Sequence, residues 1–172
     1  MRARAGRATL LTTVALVFAV AGCAGRRLDN GVYRSEHGYR IAVPGPRWIV
    51  VERSPADLEL RREDGRAAML VAATCQPAAT RRRYADLERH LLLGLRERET
   101  LAEEETSLAG RRGVHVVVEG RMRDRPERVR IEGYTLKDAR CVYDLLFAAP
   151  VAAFDSAHED FARFVGSFAA EP

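Results

Sequence analysis

Cysteine and histidine are the side chains that most often act as nucleophiles or metal ligands, and this chain of 172 residues contains three cysteines and four histidines. No two histidines stand at a spacing typical of a metal site: they are His37, His90, His115 and His158. The sequence also lacks the Gly-x-Ser-x-Gly segment that presents the nucleophile of many hydrolases. We therefore predict a protein that is not an enzyme, with no catalytic residue, no metal site and no cofactor.

Cys23 stands at the end of a segment that has the pattern of an export signal. The first seven residues include three arginines and no acidic residue, and residues 8–20 are apolar apart from three threonines. As a helix that run would be roughly 20 Å long, which is too short to cross a bilayer core of about 30 Å. Such a pattern is typical of a secretory signal. Val20-Ala21-Gly22-Cys23 also resembles the lipobox of bacterial lipoprotein precursors.

The resemblance to a lipobox implies where the protein is found. Residues 1–22 would be a signal peptide that is removed, and the thiol of Cys23 would carry the lipid. Two or three acyl chains anchor a protein firmly, so the mature chain would be held at the extracytoplasmic face of the cell membrane or the outer membrane. Residues 23–31 would form a short tether. The alternative is an ordinary cleaved signal in which Cys23 has no role.

Removal of the signal peptide changes the charge of the chain. The full sequence has 28 basic and 24 acidic side chains, and residues 1–22 contain three of the arginines and no acid. The mature protein therefore carries a net charge of about +1 rather than +4. A nearly neutral, exported chain is not typical of a protein that binds nucleic acid, so we expect no nucleic-acid partner.

Cys75 and Cys141 are the two cysteines that remain after Cys23. Export places them in a compartment where disulfides form, and their spacing is far from the Cys-x-x-Cys pattern of redox proteins. We predict a structural disulfide between them. The alternative is two separate buried thiols that pack as small apolar side chains.

Apolar periodicity predicts an order of strands, one helix, long antiparallel strands and a closing helix. The stripe of Tyr84, Leu87, Leu91 and Leu95 predicts a helix from a cap at Thr80 to about residue 98, and a second helix is expected over about 157–168. Glu103–Glu105 are expected in a solvated loop. A shift of the apolar phase predicts a bulge near Gly133. The predicted strands are 33–35, 39–43, 48–51, 58–62, 67–74, 106–108, 114–122, 128–136 and 141–149. The first two are predicted to form a hairpin with Gly38 in its turn, and residues 124–127 are predicted to form another hairpin turn.

The predicted fold class is α+β, with an antiparallel sheet sandwiched by helices over residues 32–170. Residues 141–149 form the most apolar strand and are expected at the centre of the sheet. Asp144 interrupts this strand, and a lone buried carboxylate is costly. We expect it to pair with Arg121 or Arg130, and the alternative is a role in contacting a ligand.

Three segments resemble the PsbP-like family, which includes the Mog-type Ran-binding proteins and many bacterial lipoproteins. Residues 38–44 followed by Trp48 resemble its first motif, Cys141–Leu145 resemble its last strand, and Phe161–Phe168 resemble its closing helix. The resemblance implies a PsbP-like fold over roughly residues 31–170. It also implies a non-enzymatic role, because members of the family bind proteins or assist assembly, and it implies no metal ligands here.

Two hypotheses for function follow. The first is a non-catalytic module that binds or assembles an envelope protein, which predicts an exposed apolar patch around Leu93 or at a sheet edge. The second is a carrier or sensor of a small or lipophilic ligand, which predicts an apolar pocket of some 300 Å³ or more between sheet and helix.

Overall fold

The computed structural model describes residues 28–123 and 126–170. The predicted signal peptide and Cys23 lie outside the described residues, as does part of the turn expected at 124–127. In the described ranges the strands are β1 (Leu28–Asp29), β2 (Val32–Ser35), β3 (Tyr39–Ala42), β4 (Trp48–Val50), β5 (Leu58–Arg62), β6 (Ala68–Thr74), β7 (Leu95–Leu108), β8 (Arg111–Met122), β9 (Arg128–Lys137), β10 (Val142–Pro150) and β11 (Ala169–Ala170). The helices are α1 (Pro77–Thr80), α2 (Tyr84–Leu91) and α3 (Val151–Gly166).

The main sheet has seven antiparallel strands in the order β4-β5-β6-β10-β9-β8-β7. Strand β10 lies fourth, which confirms the central position predicted from its apolar sequence. Its alternate side chains point to opposite faces, so Tyr143, Leu145 and Phe147 lie on one face and Asp144 and Leu146 on the other.

A smaller sheet of order β1-β2-β3-β11 holds the two ends of the described chain. The predicted hairpin between β2 and β3 is present, and Gly38 adopts a φ of +74° in its turn, where a side chain would be strained. Strand β1 begins at Leu28, inside the segment assigned to the tether. The folded domain therefore starts closer to Cys23 than the sequence suggested.

Helix α3 covers one face of the main sheet and builds the larger core. Phe147 of β10 packs against Phe154 and Phe161 of α3, and all three side chains are buried. The helix begins at Val151, six residues before the predicted start, because Phe154 and Ala157 extend the same apolar stripe by a turn. None of the helices in the described ranges is both long and apolar enough to cross a membrane.

The predicted long helix over 80–98 is wrong at both ends. Thr80 does not cap it but ends the single turn of α1, and α2 ends at Leu91. Gly94 then adopts a φ of +97° and turns the chain, so that Leu95 enters the sheet and is buried there. Spacing alone placed Leu95 on the helical stripe, because one apolar residue fits either element.

Strand β7 replaces the expected loop at Glu103–Glu105. It pairs with β8 over most of its 14 residues, with register shifts between Arg96 and Glu99 and between Thr100 and Ala102. As the edge of the sheet, it carries charged side chains on both faces, which is how natural edge strands avoid association. The predicted strand at 106–108 is the end of β7, and the charged residues before it were not predicted as a strand because they show no apolar alternation.

The bulge expected near Gly133 is absent: β9 keeps one register with β8 and β10 along its length. The apolar phase shifts because the two ends of β9 are buried on different faces. Val129 packs under the segment after α2, whereas Leu136 packs into the core on the α3 side. The shift of the apolar phase in β9 therefore arises in a regularly paired strand and does not indicate a bulge.

A disulfide joins Cys75 to Cys141, which is the pairing predicted from the cysteine count. It connects the end of β6 to the start of β10, two neighbouring strands of the main sheet. The helical segment α1–α2 and strands β7 to β9 all lie in the chain between the two cysteines. The bond thus closes the loop that contains most of the second half of the sheet.

Candidate functional site

The face of the main sheet opposite α3 is only partly covered. One cross-strand row on this face runs Ile49, Arg61, Ala68, Ala148 and Ile131, from β4 to β9. With neighbouring strands about 4.8 Å apart, the row is about 19 Å wide. We call this row and its immediate neighbours the open face. Ile49 is 58% exposed, and the two alanines and Ile131 are partly exposed.

A groove of about 340 Å³ lies in the open face. Four of its apolar lining residues are alanines, which leave the space that larger side chains would fill. The apolar lining is Ala67, Ala68, Met122, Val129, Ile131, Ala148, Ala149 and Pro150. Arg61 and Arg66 stand at the same groove and add positive charge. The guanidinium of Arg61 also contacts Glu59, at 3.3 Å.

Short α2 is the reason that the open face exists. The segment that ends α2 brings Leu92 and Leu95 over Val116 and Val118 of β8 and forms a second, smaller core there. Val118 is only 1% exposed under this cover. Because α2 has only eight residues, β5, β6 and the end of β10 stay outside that core.

The interface between the main sheet and α3 offers no comparable space. Phe147, Phe161 and Phe164 are fully buried there, and their rings stack or tilt against each other and against Phe154. Interiors packed in this way leave few voids larger than a water molecule. The carrier hypothesis expects a pocket between the sheet and a helix, and this packing leaves no room for one under α3.

Asp144 does not pair with Arg121 or Arg130, so that prediction is wrong. Asp144 faces the side of the sheet opposite α3, whereas Arg130 lies on the α3 side and binds Glu119 at 2.8 Å. Arg121 binds Glu97 at 2.8 Å. The alternation of side chains separates Asp144 from Arg130, and the sequence alone did not show which face each residue occupied.

The carboxylate of Asp144 accepts one hydrogen bond, from the hydroxyl of Thr135 at 2.9 Å. Burial raises the pKa of Asp144 to about 6, with smaller opposing effects from the Thr135 hydrogen bond and from His90. A cavity of about 270 Å³ lies between the α1–α2 segment and the sheet beside this carboxylate. Its lining includes Arg82 and His90 from the helical segment.

A polar cluster on the α3 side centres on Glu132, which is 5% exposed. His115 contacts its carboxylate at 3.0 Å and His158 at 2.8 Å, from β8 and α3 respectively. The other ring nitrogen of His115 lies 3.0 Å from the carboxylate of Glu104 on β7. The hydrogen bond with Glu132 raises the pKa of His115 above its ordinary value, and burial opposes this rise. The cluster stabilises the charged form of His115 and links β7, β8, β9 and α3.

A second cluster brings Ser35, His37 and Asp57 together but does not have the geometry of a catalytic triad. In a triad the histidine uses opposite ring nitrogens for the serine and the acid. Here one nitrogen, Nδ1 of His37, faces both, at 3.5 and 3.0 Å, and Ser35 also lies 3.3 Å from the acid itself. The carboxylate also accepts from Tyr39 and the Ala73 amide, so it joins the small sheet to the main one.

The residues singled out in the sequence do not form one common site in the structure. In the described residues, no group of three or more His, Cys, Asp and Glu side chains could hold a metal ion. Leu93 is 65% exposed, but it lies in the turn after α2 and not on the open face. The sequence missed the groove. It predicted a second long helix, over 80–98, to cover this face, and only the structure shows that α2 has eight residues.

Comparisons with known proteins support the fold through structure alone. No family model matches the sequence, and no curated protein matches it. The cyanobacterial PsbP of Synechocystis is similar in structure, with a TM-score of 0.60 at 13% identity, over 88% of this chain and 99% of that one. The chain has a PsbP-like, Mog-type fold.

Two further structures show how widely this PsbP-like fold occurs. LpqN of Mycobacterium tuberculosis, described as involved in cell envelope biogenesis, has a TM-score of 0.57 at 11% identity, over 80% of this chain and 87% of that one. The Ran-binding protein Mog1p of Saccharomyces cerevisiae has a TM-score of 0.51 at 14% identity, over 77% and 90%. At these identities the PsbP-like fold is shared, and a common function does not follow.

Proposed function

We propose that this protein is a non-catalytic binding module of the cell envelope that docks a partner protein on the open face. The observation that carries the proposal is the row from Ile49 to Ile131. Beyond the groove and Arg61, the row ends on the edge strand β4 at Ile49, which is 58% exposed. Exposed apolar side chains gathered around a groove in this way mark interaction sites.

The groove and its rim indicate what the partner presents. The small side chains of Ala68 and Ala148 leave room for a bulky apolar group to enter, as an anchor residue does at the centre of an interface. Arg61 and Arg66 favour acidic side chains beside that anchor. A partner protein with a projecting apolar residue and flanking carboxylates fits both features.

Two separate observations support a location in the cell envelope. The sequence before Cys23 has the pattern of a lipoprotein signal, and LpqN, described as involved in cell envelope biogenesis, has the same fold. We expect the Cys23→Ser variant to remain unprocessed and to leave the membrane fraction, because the thiol is the lipid acceptor. A processed, membrane-bound Cys23→Ser protein would contradict lipid anchoring. It would not affect the docking proposal, which has a separate test.

The docking proposal is tested by crosslinking at defined positions. A photoreactive amino acid at position 49 should give a discrete adduct in intact cells, and one at position 101 should not, since Leu101 is comparably exposed, at 46%, but lies on the opposite edge strand β7. Ala148→Glu should reduce the adduct at position 49 several-fold. Its matched control is Ala152→Glu, on the exposed side of α3.

Two results would overturn the docking proposal. One is equal crosslinking from positions 49 and 101, which would indicate chance collisions. The other is an adduct that Ala148→Glu and Ala152→Glu reduce equally, which would indicate a general effect on the protein. Thermal unfolding of both variants identifies a loss of folding, and Ile49→Glu then repeats the comparison at an exposed position.

A lipophilic ligand is the second candidate for the same face. The groove volume of about 340 Å³ falls within the range of about 300–1,000 Å³ that is usual for small-molecule sites. Native mass spectrometry of protein purified from membranes without detergent exchange should then show a retained ligand that Ala148→Glu displaces. Protein that shows only the mass of the polypeptide with its covalent lipid on Cys23 would remove this candidate.

A further inference from the structure

The cavity beside Asp144 has an acid that forms no ion pair with any residue of the described ranges. A carboxylate offers about four lone-pair positions, and in the described residues the only hydrogen bond to Asp144 comes from Thr135, a neutral donor. Its cross-strand neighbour on the other side is Ala72. Charges removed from water without a partner are costly, so this arrangement leaves a favourable interaction unmade.

The charged groups around Asp144 are held elsewhere or stand toward solvent. Lys137, on the same face of β9, donates to the backbone carbonyl of Arg82 and lies 4.0 Å from the centre of the Tyr84 ring. Arg82 and His90, which come from the α1–α2 segment, are exposed. Neither Lys137 nor Arg82 forms an ion pair with Asp144 in the described part of the chain, and His90 has the smallest of the effects that act on the pKa of Asp144.

The polarity of the cavity changes from its floor to its mouth. Val142 and Leu87 are buried and Asp144 is partly buried, and these three form the inner end of the cavity, whereas Gln76, Arg82 and His90 are exposed. The volume of about 270 Å³ is sufficient for a small organic molecule of several heavy atoms. Such a molecule would meet a single negative group at its inner end and apolar walls beside it.

We propose that this cavity binds a small molecule through a primary ammonium group, which forms the ion pair that Asp144 lacks. An ammonium donates three hydrogen bonds and has no acceptor, so it complements the free positions of the carboxylate. An anion would meet Asp144 at the floor and is disfavoured there. The site is separate from the groove of the open face and does not depend on the docking of a partner protein.

Ionisation of Asp144 makes the proposed binding depend on pH. Because burial raises the pKa of this carboxyl to about 6, the carboxylate is mostly present at pH 7.5 and mostly protonated at pH 4.5. An ammonium ligand pairs only with the ionised form. Affinity should therefore fall as the pH is lowered, while a neutral ligand of the same shape should show little change.

The test compares benzylamine with benzyl alcohol, which has nearly the same shape but no charge, using NMR titration of the intact protein. At pH 7.5 benzylamine should bind at least tenfold more tightly and should perturb the amide signals of Ala72, Thr135 and Asp144. Asp144→Asn should abolish the preference. The matched control Asp155→Asn, on the exposed surface of α3, should retain it.

Three results would overturn the proposal. They are equal affinity for the two probes in the wild-type protein, a preference for benzylamine that persists in Asp144→Asn, and a preference that is unchanged at pH 4.5. Because the first of these needs no variant, the proposal stays testable if Asp144→Asn does not fold.

Discussion

His115 places each of its two ring nitrogens 3.0 Å from a carboxylate, Glu104 on one side and Glu132 on the other. A neutral imidazole has one N–H and therefore serves one of these acceptors, whereas the imidazolium serves both. The geometry thus requires the charged form, and the raised pKa of His115 agrees with this requirement. His158 binds the second oxygen of Glu132, so that each oxygen of this buried carboxylate contacts a histidine.

The charged state of His115 predicts a pH-dependent contribution to stability. A histidine whose pKa is raised on folding stabilises the fold below its unfolded pKa, and this contribution is lost as the pH rises through the folded pKa. We expect His115→Gln to lower the free energy of unfolding by about 1–2 kcal/mol at pH 6 and by much less at pH 9. Urea unfolding at both pH values measures the difference. A loss that is equal at both pH values would contradict the charged state.

Asp144 has the opposite relation to pH. A carboxyl whose pKa is raised on folding opposes folding above that pKa and has no such effect at a pH where it is protonated in both states. The raised pKa of about 6 therefore predicts that Asp144→Asn increases the free energy of unfolding at pH 7.5, by about 1–2 kcal/mol. Near pH 3 the variant and the wild type should be equally stable. Calorimetry at the two pH values checks this, and an increase of the same size at both would indicate a packing effect instead.

At the scale of elements, the sequence predicted those whose apolar residues face one covered side. The hairpin β2–β3, the central β10 and the disulfide between Cys75 and Cys141 are all confirmed. The prediction failed where tertiary contacts decide the structure. Strand β7 exists because β8 provides a pairing partner, and its charged side chains carry no periodic signal.

The groove could not be predicted for a related reason. Its existence depends on where α2 ends, and a helix that continued to residue 98 would have covered more of the open face. The stop is caused by the conformation of Gly94, with a φ of +97°, and by burial of Leu95 in the sheet. Neither effect is visible in the spacing of Leu87, Leu91 and Leu95. The predicted pairing of Asp144 was wrong because the register of the strands decides which face of the sheet a side chain occupies. That register could not be read from the sequence.

Close approach of β8 to β9 predicts unequal effects of two glycine substitutions. A methyl group on Gly113 would lie 2.3 Å from the Thr135 carbonyl oxygen, a backbone atom held in the sheet. On Gly133 it would meet only the flexible end of Leu146, at 2.7 Å. We expect Gly113→Ala to cost about 2–3 kcal/mol and Gly133→Ala about 1 kcal/mol or less. Urea unfolding of both variants tests the order, and equal costs would contradict it.

At the scale of the whole molecule, the disulfide joins two strands that are neighbours in space but 66 positions apart in sequence. In the chain-entropy account, such a bond mainly restricts the unfolded chain, and long loops gain most. The double variant Cys75→Ala with Cys141→Ala should lose about 2–4 kcal/mol of unfolding free energy. A reductant should lower the melting temperature of the wild type toward that of the variant and leave the variant unchanged. Equal melting temperatures in oxidised wild type and variant would show that the bond adds nothing.

The small sheet also determines how the domain responds to mechanical load. Tension that enters through the residues before Leu28 acts first on β1, a two-residue strand paired only with β2 at the edge of that sheet. Pulling on an edge strand from its end breaks its hydrogen bonds one after another instead of together. We therefore expect β1 to detach at a lower force than any strand of the seven-stranded sheet, which the disulfide also holds together.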